Sequence, residues 1–490
     1  MNILFNLKKF YNQFPEKFKK KSLLFIILLV FSSLLETLSI GLIFPIIEFV
    51  INGNFSDNFL GFNVENFFRN KKNIQNFIIF IILLYFFKTV YLVLFNYWQL
   101  KFSRNIFKHL SVKLFKKYLF SSISLHHKKN SAVLLRNIWV ECLNYGNCID
   151  LILKLGAELL IVFFIITLLI IVEPVITSII ILILVFFVFI FYLLTSKKIF
   201  LFGERKVNLS EKAFKVLAES FNGIRDIKLS ATEFSFIENY KKILSKFVKF
   251  GNYQTAIIQS PRIIFEFIFI SLILTVLLIF IDTEKQPYSF LTLMGIYAVS
   301  ALKLIPGIMR ILNMTQALKG LKPSIDMIDK EFESVEIFKE KINEKNKNFQ
   351  FSKNIKFQNV SFTYDNKKFI FKNFSGNFLK NKIIGISGKS GSGKSTLVDL
   401  ITGLLKPNKG QILVDEMIDI HDGNLFNWQK KIGYVSQQVF LLDDTVTNNI
   451  GFGFNDEDID IGKVHKVLKD VQLYDYFNYQ EKKFQTIVGE

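Results

Sequence analysis

The sequence predicts two domains of different classes, an all-α domain of six transmembrane helices followed by an α/β domain. Of its 490 residues, 51% are hydrophobic and 57 are Phe, which is more apolar side chain than one soluble core can bury. Long apolar runs recur through the first part of the chain, as membrane-spanning helices require. The last part is more polar and carries a glycine-rich loop between a predicted strand and a predicted helix.

Six apolar runs define the predicted membrane domain, residues 1–328. Each run has roughly the 20 apolar residues needed to cross about 30 Å of hydrocarbon. Each must be helical, because its backbone groups find no partner in lipid. The predicted spans are 22–50, 76–99, 151–172, 174–196, 261–282 and 288–312.

Lys and Arg are distributed unevenly between these spans. Nine lie between spans two and three and twelve between spans four and five, whereas residues 51–75 hold three. Since basic residues stay on the cytoplasmic side, both termini are predicted to be cytoplasmic. The same distribution explains the net charge of +20 without a nucleic-acid partner, because no DNA- or RNA-binding motif accompanies it. Cys142 and Cys148, the only cysteines, form neither a zinc nor a disulfide pattern.

The two long cytoplasmic connections carry apolar residues at helical spacing, interleaved with charge. They predict that the spans continue as helices into the cytoplasm, with short breaks near residues 128–130 and 221–223. Residues 329–352 are dense in charge and predict a solvated linker, which is followed by soluble α/β chain over residues 353–490.

Several short elements are predicted in this α/β region. Near-alternating apolar residues in "IKFQNVSFTY" predict a strand, and one slip in the alternation predicts a bulge. "KIIGIS" is predicted to be a short buried strand and "GKSTLVDLITGLL" a helix, while "QILVD" and "KIGYVSQ" are predicted to be further strands.

The glycine-rich loop matches the phosphate-binding pattern G-x-x-x-x-G-K-[ST] at every fixed position. Glycines let the backbone turn tightly and direct its N–H groups at phosphate oxygens, and the following helix adds its positive end. Lys394 supplies a charge to the β- and γ-phosphates, and the Ser395 hydroxyl is a ligand for Mg²⁺. The predicted nucleotide-binding residues of this P-loop are Gly388, Lys389, Ser390, Gly391, Ser392, Gly393, Lys394, Ser395 and Thr396.

With the P-loop placed behind six spans, the whole chain resembles an ATP-binding cassette (ABC) exporter, one membrane domain fused to one nucleotide-binding domain. The resemblance implies ATP and Mg²⁺ as cofactors. "VSFTY" ends in Tyr364, at the position that stacks on adenine in this family. "GYVSQQVFLLDDTVTNNI" is similar to the segment in which a glutamine, here Gln437, touches Mg²⁺ and the attacking water. The alternatives without a functional role are that Tyr364 is an ordinary tyrosine at the end of a strand and that Gln437 is an ordinary surface glutamine.

The resemblance extends to the cytoplasmic connections. The segments near 125–137 and 219–230 are similar to the loops whose short coupling helices contact the nucleotide-binding domains of the family. They imply a route by which nucleotide binding acts on the membrane helices.

"QILVDE" has the form of a strand that ends in a catalytic Asp-Glu pair, but it follows the P-loop helix by only one turn. We therefore expect Asp415 and Glu416 to be structural. The family's signature segment, its Walker B carboxylate and its switch histidine do not occur in the sequence, which ends just after "FQTIVGE". No catalytic residue is assigned within the chain, and the general base is expected beyond Glu490. The chain as given is expected to bind nucleotide weakly without hydrolysing it, and the nucleotide-binding domain is expected to be incomplete at its C-terminus.

Three ionisable residues lie near the middle of predicted spans, where they are costly: Glu36, Lys88 and Lys303. They predict either the polar wall of a substrate cavity that meets an anionic headgroup or ion pairs with one another. Arg262 and Arg310 lie near cytoplasmic ends and are expected to extend towards the membrane surface.

The resemblance implies ATP-driven export or flipping by a dimer, most simply a homodimer, in the bacterial plasma membrane. "LLETLSIGLIFPIIEFV" and "ALKGLKPSIDMID" resemble the branch that moves lipid-linked oligosaccharides, polysaccharides or lipids. Export of peptides or drugs is the alternative within the family. A nucleotide-gated regulator that does not hydrolyse ATP, or the degenerate subunit of a heterodimer, is the alternative from another class.

Overall fold

The structure, a computed structural model, describes residues 16–42, 58–59, 62–63, 71–172, 174–281, 287–335, 350–364, 368–422, 425–437 and 439–489. The chain divides into two compact units, Met1–Lys339 and Glu340–Glu490. The first is mostly helical. Its long helices are α1 (Glu16–Gly41), α2 (Lys71–Leu119), α5 (Cys142–Val172), α6 (Pro174–Asn222), α8 (Glu233–Ile281) and α9 (Pro287–Ser334). Two two-residue strands, β1 (Asn58–Phe59) and β2 (Phe62–Asn63), pair between α1 and α2.

Each predicted span overlaps one of the six long helices. The first differs in its extent, because α1 ends at Gly41 and residues 43–50 lie outside the described part of the chain. Among the described residues, three helices are long and apolar enough to cross a membrane: Lys72–Leu119, Ser131–Ile171 and Thr177–Asn222. Apolar side chains such as Phe87 (67% exposed) and Leu182 (71%) cover their outer surfaces, as contact with lipid requires.

Short helices interrupt the two long connections at the predicted breaks. The first connection contains α3 (Ile123–Lys128), α4 (Ser131–Arg136) and a π-helix (Asn137–Glu141), and the second contains α7 (Ile224–Ser230). Both connections therefore carry a short helix inside the ranges expected for coupling helices.

A fully buried arginine joins the helices next to the first of these connections. Arg136 is 0% exposed, and its guanidinium donates from Nη1 to the carbonyl of Val207 in α6 at 3.0 Å. The guanidinium also lies 3.7 Å from Glu141 and 3.1 Å from the sulfur of Met327 in α9. Because a buried charge without partners is costly, these contacts hold α4, α6 and α9 together.

Two glycines let α6 and α9 touch backbone to backbone. A Cβ on Gly203 would overlap the carbonyl of Gly320, and a Cβ on Gly320 would overlap the amide of Gln254 in α8. Gln254 is 8% exposed and accepts a hydrogen bond from Lys206 at 3.2 Å. Three helices therefore meet at one crossing that only small residues allow.

The predicted linker begins later than expected. Residues 329–334 continue α9, and the neighbouring side chains of Ile328 and Val335 are 0% and 1% exposed. The charged residues of this stretch are compatible with a helix because Glu331 is paired with Lys129. Residues 336–349 of the predicted linker lie outside the described residues.

The second unit contains an antiparallel sheet in the order β4-β3-β5-β6, formed by β3 (Asn354–Phe362), β4 (Phe371–Leu379), β5 (Lys409–Val414) and β6 (Ile418–Asp419). The register of β3 on β4 shifts between Phe357 and Val360, where the sequence predicts a bulge. The helices are α10 (Lys394–Ile401), α11 (Leu425–Gln429), α12 (Val446–Ile450), α13 (Ile461–Asp470) and α14 (Tyr474–Asn478), and β7 (Asp444–Thr445) pairs with β8 (Ile487–Val488).

Two predicted strands are not formed among the described residues. "KIIGIS" and "KIGYVSQ" pair with no other strand there, and most of their apolar side chains are exposed, with Ile383 at 105% and Val435 at 89%. The physical reason is that a strand is stable only when a neighbour satisfies its backbone groups. The predictions of a buried strand at "KIIGIS" and of a strand at "KIGYVSQ" are therefore wrong for this structure.

Asp415 and Glu416 lie in the turn between β5 and β6 of the antiparallel sheet, as expected for structural residues. Both adopt the left-handed conformation, with φ of 52° and 62°. The Asp415 carboxylate accepts hydrogen bonds from the backbone N–H groups of Ser352 and Lys353, at 2.8 and 2.6 Å, and from the Ser352 hydroxyl. It therefore anchors the chain where it enters β3.

We predict that Gly203→Ala destabilises the membrane unit by about 1–3 kcal/mol, because the new methyl group meets backbone that cannot rotate away. The matched control is Gly251→Ala in α8, where the added Cβ would lie 4.0 Å from Lys206. That change is expected to be neutral or stabilising by up to about 1 kcal/mol, as alanine favours a helix. The shift in thermal unfolding midpoint of the detergent-solubilised protein tests both. Equal shifts would contradict the proposed close crossing.

We also predict that Asp415→Asn flattens the acid dependence of stability of the second unit. Burial alone would raise the Asp415 pKa, but hydrogen bonds from the Ser352 hydroxyl and nearby N–H groups outweigh it and lower the pKa to about 2. Because the folded-state pKa lies below the ordinary value, the stabilisation is complete above about pH 4 and is lost as pH falls towards 2.

Trp428 fluorescence, after replacement of Trp98 and Trp139 by Phe, reports unfolding of this unit between pH 5 and 2.5. Glu457→Gln on the exposed Asp456–Asp458 3₁₀ turn is the control. The prediction is contradicted if the wild-type and Asp415→Asn proteins lose stability equally over this range.

Candidate nucleotide site

The P-loop adopts a conformation that requires glycine. It precedes α10, whose N-cap is Gly393 with φ 95°, and Gly391 has φ 77°. A Cβ on Gly393 would lie 2.6 Å from Ile370, so both conformation and space exclude a side chain there. In contrast, nothing lies within 4 Å of the place where a Cβ on Gly391 would be. The loop therefore leaves its backbone open on the side of Gly391.

The charges of the loop favour an anion. The Nζ atom of Lys394 donates to the carbonyls of Gly388 and Lys389 at 2.9 and 3.0 Å, which holds its ammonium group inside the loop. The N-terminus of α10 contributes unpaired N–H groups and the positive end of its dipole. A phosphate group bound here would meet both, so the residues present fit a nucleotide triphosphate.

The structure brings Tyr364 to the P-loop helix. Its hydroxyl lies 3.3 Å from that of Thr396 in the first turn of α10, although the two residues are 32 apart in sequence. The ring packs edge-on against Phe362, with centroids 4.9 Å apart, and remains 42% exposed. Half of its surface is therefore available to a base, while Phe362 and Thr396 fix its orientation.

Ser395 and Gln437 are both exposed. Ser395 lies in the first turn of α10, beside the loop. Within the described residues, no hydrogen bond joins Gln437 to the P-loop, since the segment expected to position it forms no strand. The role of Gln437 as a Mg²⁺ ligand stays a prediction.

Trp428 of α11 supports the far end of the P-loop helix. Its indole Nε1 donates to the carbonyl of Ile401 at 2.8 Å, and the side chain is 3% exposed. Sequence reasoning missed this residue. The signal that could have found it is a lone Trp in a polar stretch, since a buried indole needs an acceptor for its N–H.

In the membrane unit, the structure brings Glu36 and Lys88 together between α1 and α2. The two charged groups are 3.8 Å apart, and their side chains are 15% and 7% exposed. Lys88 also donates to the Ser39 hydroxyl at 2.7 Å. This geometry agrees with the ion-pair interpretation, while a role in a cavity wall stays a prediction. The side chain of Lys303 lies outside the described residues.

Arg310 is placed differently from the expectation of a group extended to the membrane surface. It forms a two-pronged ion pair with Glu158 of α5, at 2.6 and 3.0 Å. Glu158 lies on a charged face of α5 that was not identified from the sequence. On the same face, Lys154 pairs with Asp150 at 2.7 Å. The spacing of four residues was the available signal, because it places all three side chains on one side of a helix.

Comparison with known proteins gives matches in both units. A family model of the ABC transporter transmembrane region matches residues 22–284, and one described as ABC transporter matches residues 371–487. An ATP-dependent lipid A-core flippase from Pasteurella multocida is 34% identical over 137 residues, covering 28% of this chain and 23% of the flippase.

Two further relatives match over similar lengths. ABC transporter ATM1 from Plasmodium falciparum is 36% identical over 138 residues, covering 28% of this chain and 13% of its own. ATP-binding cassette sub-family B member 5 from Mus musculus is 36% identical over 139 residues, again 28% of this chain and 11% of its own. The matched segment thus spans less than a quarter of these relatives. Because the membrane-region model alone covers more than half of the sequence, the chain belongs to the ABC transporter family.

Proposed function

We propose that this multi-pass membrane protein uses ATP to export or flip a lipid-linked or amphipathic substrate, as one half of a dimeric transporter. The observation that carries the proposal is the P-loop, with Lys394 held inside it, on the same chain as a unit of membrane-spanning helices. Family membership implies ATP as the nucleotide. Mg²⁺ would be held by the Ser395 hydroxyl and Gln437, and it would supply charge neutralisation at the β- and γ-phosphates.

The proposed route from nucleotide to membrane runs through the cytoplasmic helices. A second copy of the chain would supply the other half, and binding of ATP would draw the two nucleotide units together. The short helices α3 and α7 would take up that movement, and the long helices α2, α5, α6 and α8 would carry it into the bilayer as rigid rods. We place both termini and these connections in the cytoplasm of a bacterial cell, on the distribution of Lys and Arg.

The proposed substrate class is based on the name of one relative and on the charged residues of the membrane unit. A flippase for lipid A-core is among the relatives, and the membrane unit holds Glu36 and Lys88 near the middle of predicted spans, where charge is costly. An amphipathic substrate with an anionic headgroup suits such a unit. Peptide or drug export is the second candidate within the family, because the matches to ATM1 and to sub-family B member 5, whose names specify no substrate, are of similar identity to the flippase match.

We predict that Lys394→Ala weakens ATP binding at least tenfold, because the loop loses the charge that faces the phosphates. Isothermal titration with ATP and Mg²⁺ measures the change. Lys463→Ala is the matched control: this lysine side chain is 84% exposed and pairs with Asp460, so its removal should leave ATP binding within about threefold. In proteoliposomes of the intact gene product, Lys394→Ala should abolish ATP-dependent movement of a fluorescent lipid. If the Lys394→Ala protein moved the lipid at the wild-type rate, the proposal that ATP bound at the P-loop drives transport would be refuted.

Tyr364 provides a test of base stacking. Tyr364→Ala is expected to weaken ATP binding by about 1–3 kcal/mol, the range for loss of one stacked base, whereas Tyr364→Phe should stay near wild type because it keeps the ring. Inorganic tripolyphosphate, which has no base, should bind all three proteins equally. If Tyr364→Phe and Tyr364→Ala weaken ATP binding equally, the contact of the Tyr364 hydroxyl with Thr396, rather than base stacking, accounts for the loss of affinity.

A further inference from the structure

The last turns of α9 are fastened to the first cytoplasmic connection by one carboxylate. Glu331 accepts hydrogen bonds from Lys129 at 2.7 Å on each of its two oxygens. The Tyr118 hydroxyl, at the end of α2, donates to the same carboxylate at 2.8 Å. The Glu331 side chain is 13% exposed, so water competes weakly with these donors.

Further contacts attach the end of α9 on both sides of Glu331. Tyr118, which is 2% exposed, also accepts a hydrogen bond from Asn137 of the π-helix at 3.2 Å. Next to Glu331, the ammonium of Lys117 donates to the carbonyl of Phe332, and Lys113 lies 5.4 Å from the Phe332 ring centre. The end of α9 is therefore attached to α2, to the α3–α4 junction and, through Tyr118, to the π-helix.

The position of the Glu331–Lys129 pair in the chain suggests its role. Lys129 directly follows α3, the short helix in the first connection, and Glu331 lies three residues before α9 ends at Ser334. The first unit ends shortly afterwards, at Lys339. A displacement of α3 thus reaches, through one ion pair, the point where the chain leaves the membrane unit for the nucleotide unit.

We propose that Glu331 is a positioning residue that makes α3 and the end of α9 respond together when nucleotide binds. The inference rests on the proposed function, in which α3 takes up the movement of the nucleotide unit. Without the carboxylate, the two segments remain folded but respond independently. Exposed ion pairs contribute little to such coupling, whereas here two donor groups make three hydrogen bonds to a largely buried acceptor.

Hydrogen–deuterium exchange of the full chain in nanodiscs, with and without ATP and Mg²⁺, tests the proposal. In wild type we expect nucleotide to protect residues 388–396 and to change exchange at least twofold in both 123–136 and 329–335. In Glu331→Gln and Lys129→Ala, the response of 329–335 should fall below half of the wild-type response, with protection of 388–396 unchanged. Lys129→Arg, which keeps the charge, should retain the wild-type response.

The control is Lys215→Ala, which breaks the exposed Lys215–Glu219 pair on α6 and should change neither segment. Thermal unfolding of each variant identifies any that fails to fold, and Lys129, at 31% exposed, is the milder site. A full response at 329–335 in Glu331→Gln and Lys129→Ala overturns the inference, as does equal loss in Lys129→Arg and Lys129→Ala. Protection of 388–396 without any response at 329–335 in wild type overturns it but leaves the proposed function standing. No protection of 388–396 in wild type refutes the proposed function itself.

Discussion

Lipid offers no hydrogen bonds to a polypeptide backbone, and the architecture of the first unit follows from that constraint. Each apolar run must satisfy its own N–H and C=O groups, so it forms a helix throughout the bilayer. Four of the helices run for 48 or 49 residues, far more than a bilayer needs, and so extend out of it without a break. The helical conformation that the bilayer requires thus also supplies continuous rods that reach beyond it.

Polar contacts then decide how those rods are arranged. Apolar faces pack against lipid as readily as against one another, so they specify position weakly. Buried ion pairs and hydrogen bonds are more selective, because an unpaired partner is costly. Arg136 joins α4, α6 and α9, and Glu158 joins α5 to α9 through Arg310. The second unit is held instead by an apolar core that includes Val360, Leu400 and Ile412, each 0% exposed.

Features encoded within short segments could be predicted from the sequence. The long helices follow from the length and hydrophobicity of the apolar runs, the breaks near residues 129 and 223 from polar interruptions, and the P-loop from residue types at fixed spacing. Features that need a distant partner could not. The Arg310–Glu158 pair joins residues 152 apart, and Glu331 near the end of α9 pairs with Lys129, 202 residues away. "KIIGIS" has the composition of a buried strand, but pairing depends on neighbours that its own residues do not specify.

The meeting of Gly203 and Gly320 has a mechanical consequence. Most helix pairs interlock through side chains, so changing their angle means repacking many rotamers. Here two main chains lie against each other with no side chain between them. This closeness fixes the register of α6 on α9, because sliding either helix along the other would bring a bulkier residue to the crossing. Away from the crossing the two helices do interlock, through Leu184, Met309 and Leu312, so a change in their angle still requires these side chains to repack.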